Sequence, residues 1–303
     1  MAIKAEVRNV KRSRQSPKAL GARSKAAIAV IALIFFLRFV PSFSPFLLAK
    51  GAFDLSVPFR YISIGWVDWA AVQLQEMSEQ TVPDEELLAV LGLAHESLGD
   101  YDEALAAYER IALSYADDPL AVSRAKALAA NVYLRQGHLE TARERFLESN
   151  RLNPDQAFVT FNLGILAESD GDLSAALEWF ERSMQASPQW VDPAVRAGAV
   201  YNRLGDPVAA VTLLRPHEAG ASRLVDLHLQ ISTAYAALAQ ASARGELDEQ
   251  QLGALASVGI VGDDITVVLS DLALHALDRT RQLDPQHRGL ADLERLIDRL
   301  PIR

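Results

Sequence analysis

The sequence predicts an all-α protein assembled from stacked helix hairpins, and three observations carry the prediction. Gly99, Gly137, Gly171 and Gly205 recur at spacings of 38, 34 and 34 residues, each lying between two helical apolar patterns. Fixed places around these glycines repeat a small residue, an alanine and a large apolar residue. The single helices, about a dozen residues each, are too short to stand alone in water, so neighbours must cover their apolar sides.

Taken in chain order, the first element is a basic arm, residues 1–25. It carries eight lysines and arginines against one acid, Glu6. Ten of the 30 basic residues and one of the 39 acidic residues lie in the first 50 positions, so 51–303 carry 20 against 38, a net charge of −18. A body that acidic repels phosphate backbones, and nucleic acid is excluded as its partner.

Residues 26–49, "AAIAVIALIFFLRFVPSFSPFLLA", are read as a membrane anchor. The uninterrupted apolar part, 26–37, would make about 18 Å of helix, short of a ~30 Å hydrocarbon core. The whole run would reach about 36 Å with Arg38 near its middle, at a cost of roughly 2.5–3.5 kcal/mol that apolar neighbours and snorkelling offset. A cleaved signal peptide lacks a convincing small-x-small site, since "LLAKGA" is a poor one. A transit peptide would share the basic character. A buried core helix fits the length but not the basic flank. For an uncleaved anchor, the positive charges before the run keep the amino terminus cytoplasmic and place the body on the extracytoplasmic, periplasmic-type side.

Residues 50–84 form a juxtamembrane region with a first helix. Within 58–76 stand Tyr61, Trp66 and Trp69. Two readings share these residues: a helix at the membrane–water interface, or a helix packed under the repeats with its tryptophans in the core.

Residues 85–221 hold four repeated units, of which "LGLAHESLGDYDEALAAYERIA", 91–112, is the first hairpin. Turn glycine permits positive φ at the end of each first helix. Seven residues before it stand Gly92, Ala130, Gly164 and Gly198, small enough for helix backbones to approach closely. Five after it come Ala104, Ala142, Ala176 and Ala210. Nine after it come Tyr108, Phe146, Phe180 and Leu214, expected to fill the gap between adjacent hairpins at about 1.5–3 kcal/mol each. Pro154 and Pro188 stop second helices, and Pro119 does so a few residues late.

Residues 222–285 read as a fifth, interrupted unit. Its helices are expected at 226–241 and 269–285, around an insertion at about 244–268 with its own short helix at 247–256. Long insertions in compact repeats tend to be functional or disordered, so this one is expected to be the most mobile part of the body. Residues 286–303 supply a capping helix over the last apolar face.

A 34-residue helix–turn–helix period with these marks resembles the tetratricopeptide repeat (TPR) family, most fully in "NLGILAESDGDLSAALEWFERSMQASP", 162–188. The resemblance implies a TPR-type α-solenoid, a right-handed superhelix of hairpins, whose first helices line a groove for a peptide or partner helix. Mapped onto this sequence, the protein-binding groove holds Arg124, Asn131, Arg135, Phe158, Phe161, Asn162, Ile165, Arg196, Asn202 and Arg203, with Glu96 and Glu168 beside them. Asn131 and Asn162 stand where family members clamp a peptide backbone. Phe158, Phe161 and Ile165 would form an apolar floor, or Phe158 and Phe161 would pack against the preceding unit instead. Relatives that grip acidic chaperone tails use lysines where this chain has Ala127 and Phe161, so the resemblance does not carry that activity. The four arginines leave room for another acidic partner.

No catalytic chemistry is legible. Phosphate loops, His-Glu-x-x-His motifs and nucleophile elbows are missing, cysteine is absent, and the six histidines are scattered without ligand spacing. No metal or cofactor is expected. The chain reads as a membrane-anchored, non-catalytic scaffold binding a protein or peptide through its groove. The second reading is a structural or accessory subunit that self-associates through its repeats.

Overall fold

A computed structural model describes Pro58, Ile62, residues 65–80, 84–221 and 223–300. The anchor expected at 26–49 lies outside these residues. Among the described residues no helix is long and apolar enough to cross a membrane. The chain divides into two compact units, 1–138 and 139–303.

In the first unit, α1 (Val67–Gln80) packs on α2 (Glu85–Leu98), which pairs with α3 (Tyr101–Ser114); α4 (Pro119–Arg135) packs on α2 and α3. One face of α1 enters the core through Ala70, Ala71 and Leu74. Its other face leaves Trp66, Trp69 and Val72 at 56%, 53% and 54% exposure. The helix packs under the repeats, as one of its two readings expected, but its two tryptophans stay outside that core.

Local chemistry explains the stops and starts. Gly99 takes φ +83°, so its own N–H and that of Asp100 turn back to the carbonyls of Glu96 and His95, at 3.2 and 3.0 Å. This closes the helix end without help from elsewhere. No atom lies within 4 Å of a Cβ built on Gly99, so glycine is required there by backbone conformation and not by crowding. Side-chain oxygens of Asp84 and Asp118 cap the starts of α2 and α4.

The second unit begins with α5 (Leu139–Leu152). Two hairpins follow, α6 (Ala157–Ser169) with α7 (Leu173–Ala186), and α8 (Asp192–Leu204) with α9 (Pro207–Leu214). Asp172 and Asp206, each directly after a turn glycine, accept the N–H of Ala175 and Ala209 at 3.0 Å and cap the next helix. Gly-Asp thus ends one helix and begins another.

The small residue and the large one turn out to be a single device. A Cβ on Gly92 would fall 2.3 Å from the Tyr108 ring; on Gly164, 2.6 Å from Phe180; on Gly198, 2.6 Å from Leu214. The large residue fills a notch in its own hairpin and also the expected gap to the next one, where Tyr108 clusters with Ala121, Ala125 and Val132 and Phe180 with Ala197 and Val200. Tyr108 and Phe180 are buried there.

Beyond the hairpins, α10 (Val225–Ala243) pairs with α12 (Ile265–Leu283), and α13 (Leu290–Ile297) packs on both. Asp264 caps α12, so that helix begins four residues before the place read from the apolar pattern. The insertion contains α11 (Glu249–Ser257), which rests on α9. It is tied down: Leu255 and Ile260 are buried, Arg215 donates to the Val258 carbonyl at 3.0 Å, and Ser242 bonds Thr266 at 2.8 Å. These contacts give the insertion a packed seat on α9; amide exchange is the measurement that bears on its expected mobility.

Candidate partner-binding face

In the first unit the polar residues of the expected groove converge on two glutamates. Arg124 grips Glu85 with a bidentate fork, Nε and a terminal nitrogen at 2.5 and 2.6 Å. Glu96, 3% exposed, receives Asn131 Nδ2 and Arg135 at 2.8 Å on one oxygen, and the Tyr108 hydroxyl at 3.3 Å on the other. A buried carboxylate demands such donors, because an unpaired charge there would cost several kcal/mol. Burial, then the neighbouring Glu96 charge, holds the Tyr108 phenol well above its ordinary pKa. Hydrogen bonding to Glu85 raises Arg124; for Arg135 burial acts to lower the pKa, and the hydrogen bonds and charge attraction of Glu96 and Tyr101 together raise it.

In the second unit Glu168 plays the same part. Its oxygens lie 2.9 Å from Arg203 and 3.6 Å from Arg196. Asn202 donates to the backbone and side-chain oxygens of Gln230 on α10, at 2.9 and 3.2 Å. Asn162, 7% exposed, donates at 2.8 Å to the Phe158 carbonyl one turn earlier in its own helix.

These contacts change how the face is read. All four arginines are paired with glutamates, so they do not form the positive groove that would favour an acidic partner. Asn131 and Asn162 turn their amide N–H groups inward, where a peptide backbone was expected to meet them. The spacing held a signal for this: Glu96 and Glu168 stand three residues before a turn glycine, while Arg135 and Arg203 stand two before the next.

The apolar floor is half-buried. Phe158 meets Phe146 edge-on, centroids 6.1 Å apart. Phe161 contacts Phe180 at 5.8 Å and Trp190 at 4.6 Å. Trp190, which sequence reasoning passed over, is held by a hydrogen bond from its indole N–H to Asp192. Phe158, Phe161 and Ile165 follow i, i+3, i+7 along α6 and form one partly exposed stripe.

Three family models described as tetratricopeptide repeat match residues 87–120, 127–189 and 193–216. These hairpins are tetratricopeptide repeats. No curated protein matches the chain. Among solved structures, the Pseudomonas aeruginosa pilF protein is similar over 80% of this chain and 95% of its own, with TM-score 0.59 at 16% identity. A chain of the APC/C hetero-tetramer Cut9–Hcn1 aligns with 90% of this chain at TM-score 0.57 and 15% identity. The match covers 46% of that chain, so this protein spans less than half its length. YrrB, a TPR protein with an unusual peptide-binding site, aligns with 74% of this chain and 99% of its own, at TM-score 0.50 and 15% identity. At such identities the likeness speaks for the all-helical TPR-type solenoid alone. Among the described residues no group of His, Cys, Asp or Glu could hold a metal ion.

Proposed function

We propose that this chain is a membrane-tethered, non-catalytic scaffold that binds a protein partner through the first-helix face of its repeats. The supporting observation is the stripe Phe158, Phe161 and Ile165, apolar and partly exposed, on α6. Its rings are held against Phe146, Phe180 and Trp190, so a partner meets a preorganised apolar anchor at little ordering cost. Paired arginines leave shape and apolar contact as the main determinants, and a partner helix or extended peptide with large apolar side chains fits better than an acidic tail. The tether is residues 26–49, with the basic arm cytoplasmic and the repeats on the extracytoplasmic side.

A photoreactive residue at position 161, irradiated in native membranes, tests the binding face. One dominant heterologous adduct that fades on Ile165→Asp is expected. Adducts only with further copies of this chain would replace partner recruitment by self-association.

A further inference from the structure

We infer that the exposed face of α1 at Trp66, Trp69 and Val72 seats the amino-terminal end of the repeat body in the headgroup layer of the bilayer that holds the anchor. The inference rests on the anchored reading above and adds where the body touches lipid.

Three observations point there. Among the described residues, Trp66 and Trp69 are the only exposed Phe, Tyr or Trp side chains, and they lie on the solvent side of the helix with Val72. Indole rings with an apolar body and an N–H donor prefer the membrane–water interface to either water or hydrocarbon. The same side also carries charge: Asp68 is exposed between the two tryptophans, and after Val72 the exposed positions are Glu76 and Glu79. From Trp66 to Val72 is about 9 Å of helix, so α1 dips its first two turns into the hydrated headgroups, where the Asp68 carboxylate keeps its water, and lifts its more acidic end clear of them. Finally, Trp66 follows the apolar run 26–49 by 17 residues. A connection of that length reaches at most about 60 Å, so the patch stays at high local concentration near the bilayer and even a weak affinity is satisfied because the second contact is intramolecular.

Charge argues against a different attachment. The body's −18 repels anionic headgroups, so the contact is aromatic rather than electrostatic and persists at high salt and on uncharged lipid.

The test uses the full chain reconstituted in phosphatidylcholine vesicles. One variant carries Trp179→Phe and Trp190→Phe, leaving the α1 tryptophans as reporters; the other carries Trp66→Phe and Trp69→Phe as control. Circular dichroism checks that both retain native helix content. Flotation reads the anchor, and fluorescence quenching by lipids brominated near the headgroup or near the chain end reads tryptophan depth. Expected is quenching of the reporters by roughly half with headgroup-side bromine, less with chain-end bromine, unchanged at high salt, and none in the control. Floating protein with unquenched reporters overturns the seating while leaving the anchor intact, and points to a protein or to segment 26–49 as the cover. Protein that fails to float overturns the anchor and the seating together.

Discussion

Replacing Glu96 by leucine tests whether the buried carboxylate holds the first unit together through its donors. Leucine is close in volume, so the cost comes from the groups left behind. The Tyr108 hydroxyl, fully buried, loses its acceptor and costs about 1–3 kcal/mol. Asn131 and Arg135 reach water and lose only the net worth of their bonds, about 0.5–1.5 kcal/mol for the amide and at most about 1 for the exposed ion pair. The sum is roughly 1.5–5.5 kcal/mol, read by chemical denaturation of the full chain with far-UV circular dichroism. Tyr108→Phe supplies the decisive second arm. Alone, it removes one hydrogen bond and destabilises by about 0.5–1.5 kcal/mol. In the E96L background it removes an orphaned hydroxyl, and the same change stabilises by about 1 kcal/mol or more. A Tyr108→Phe cost equal in both backgrounds would refute the reasoning, since the hydroxyl would then not depend on Glu96.

Stability should fall with rising pH above about 10: the folded state keeps the Tyr108 proton that the unfolded phenol loses there, so this contribution is intact below pH 10 and drains away beyond it. Tyr108→Phe should flatten that slope, and Tyr235, raised by burial, accounts for part of what remains. Gly164→Ala should cost about 1–3 kcal/mol by overpacking against Phe180 and be partly rescued by Phe180→Leu. Gly171→Ala should cost about 1–2 kcal/mol through its φ of +83° and gain nothing from the same rescue, a contrast that thermal melts of the four variants would check. Leu255→Ala should destabilise by about 2–5 kcal/mol and speed amide exchange throughout 249–257, whereas a free insertion would already exchange fast in the unmodified chain.

The hairpins were readable because their marks are local. A glycine that must take positive φ and an aromatic at a set distance from it repeat whatever the rest of the chain does. The meeting of Gly92 with Tyr108 was harder, because each residue had a sufficient explanation by itself and only coordinates reveal that they are one contact. The binding face was less legible still. Arg135 and Glu96 lie 39 residues apart, and a family template that marks positions facing a ligand does not say whether a neighbouring repeat has already claimed them. Tryptophan in a core and tryptophan on a surface are the same letter, so Trp66 and Trp69 stayed open until their exposure was known. The packing of the insertion was hidden for a related reason: Leu255, Ile260 and the acceptor of Arg215 are scattered through a polar stretch whose average conceals them, although its short helix was legible.

The Gly-Asp joints at Gly171 and Gly205 have a bearing on ancestry. Because each joint settles the loose ends of both helices with its own two residues, a 34-residue block can be copied or deleted in frame without inventing a new loop. Lengthening such a protein is then a matter of gene duplication followed by adjustment of the notch and its filler. The segment after residue 221, where an insertion separates the paired helices, is the part that such copying could not have produced unaided.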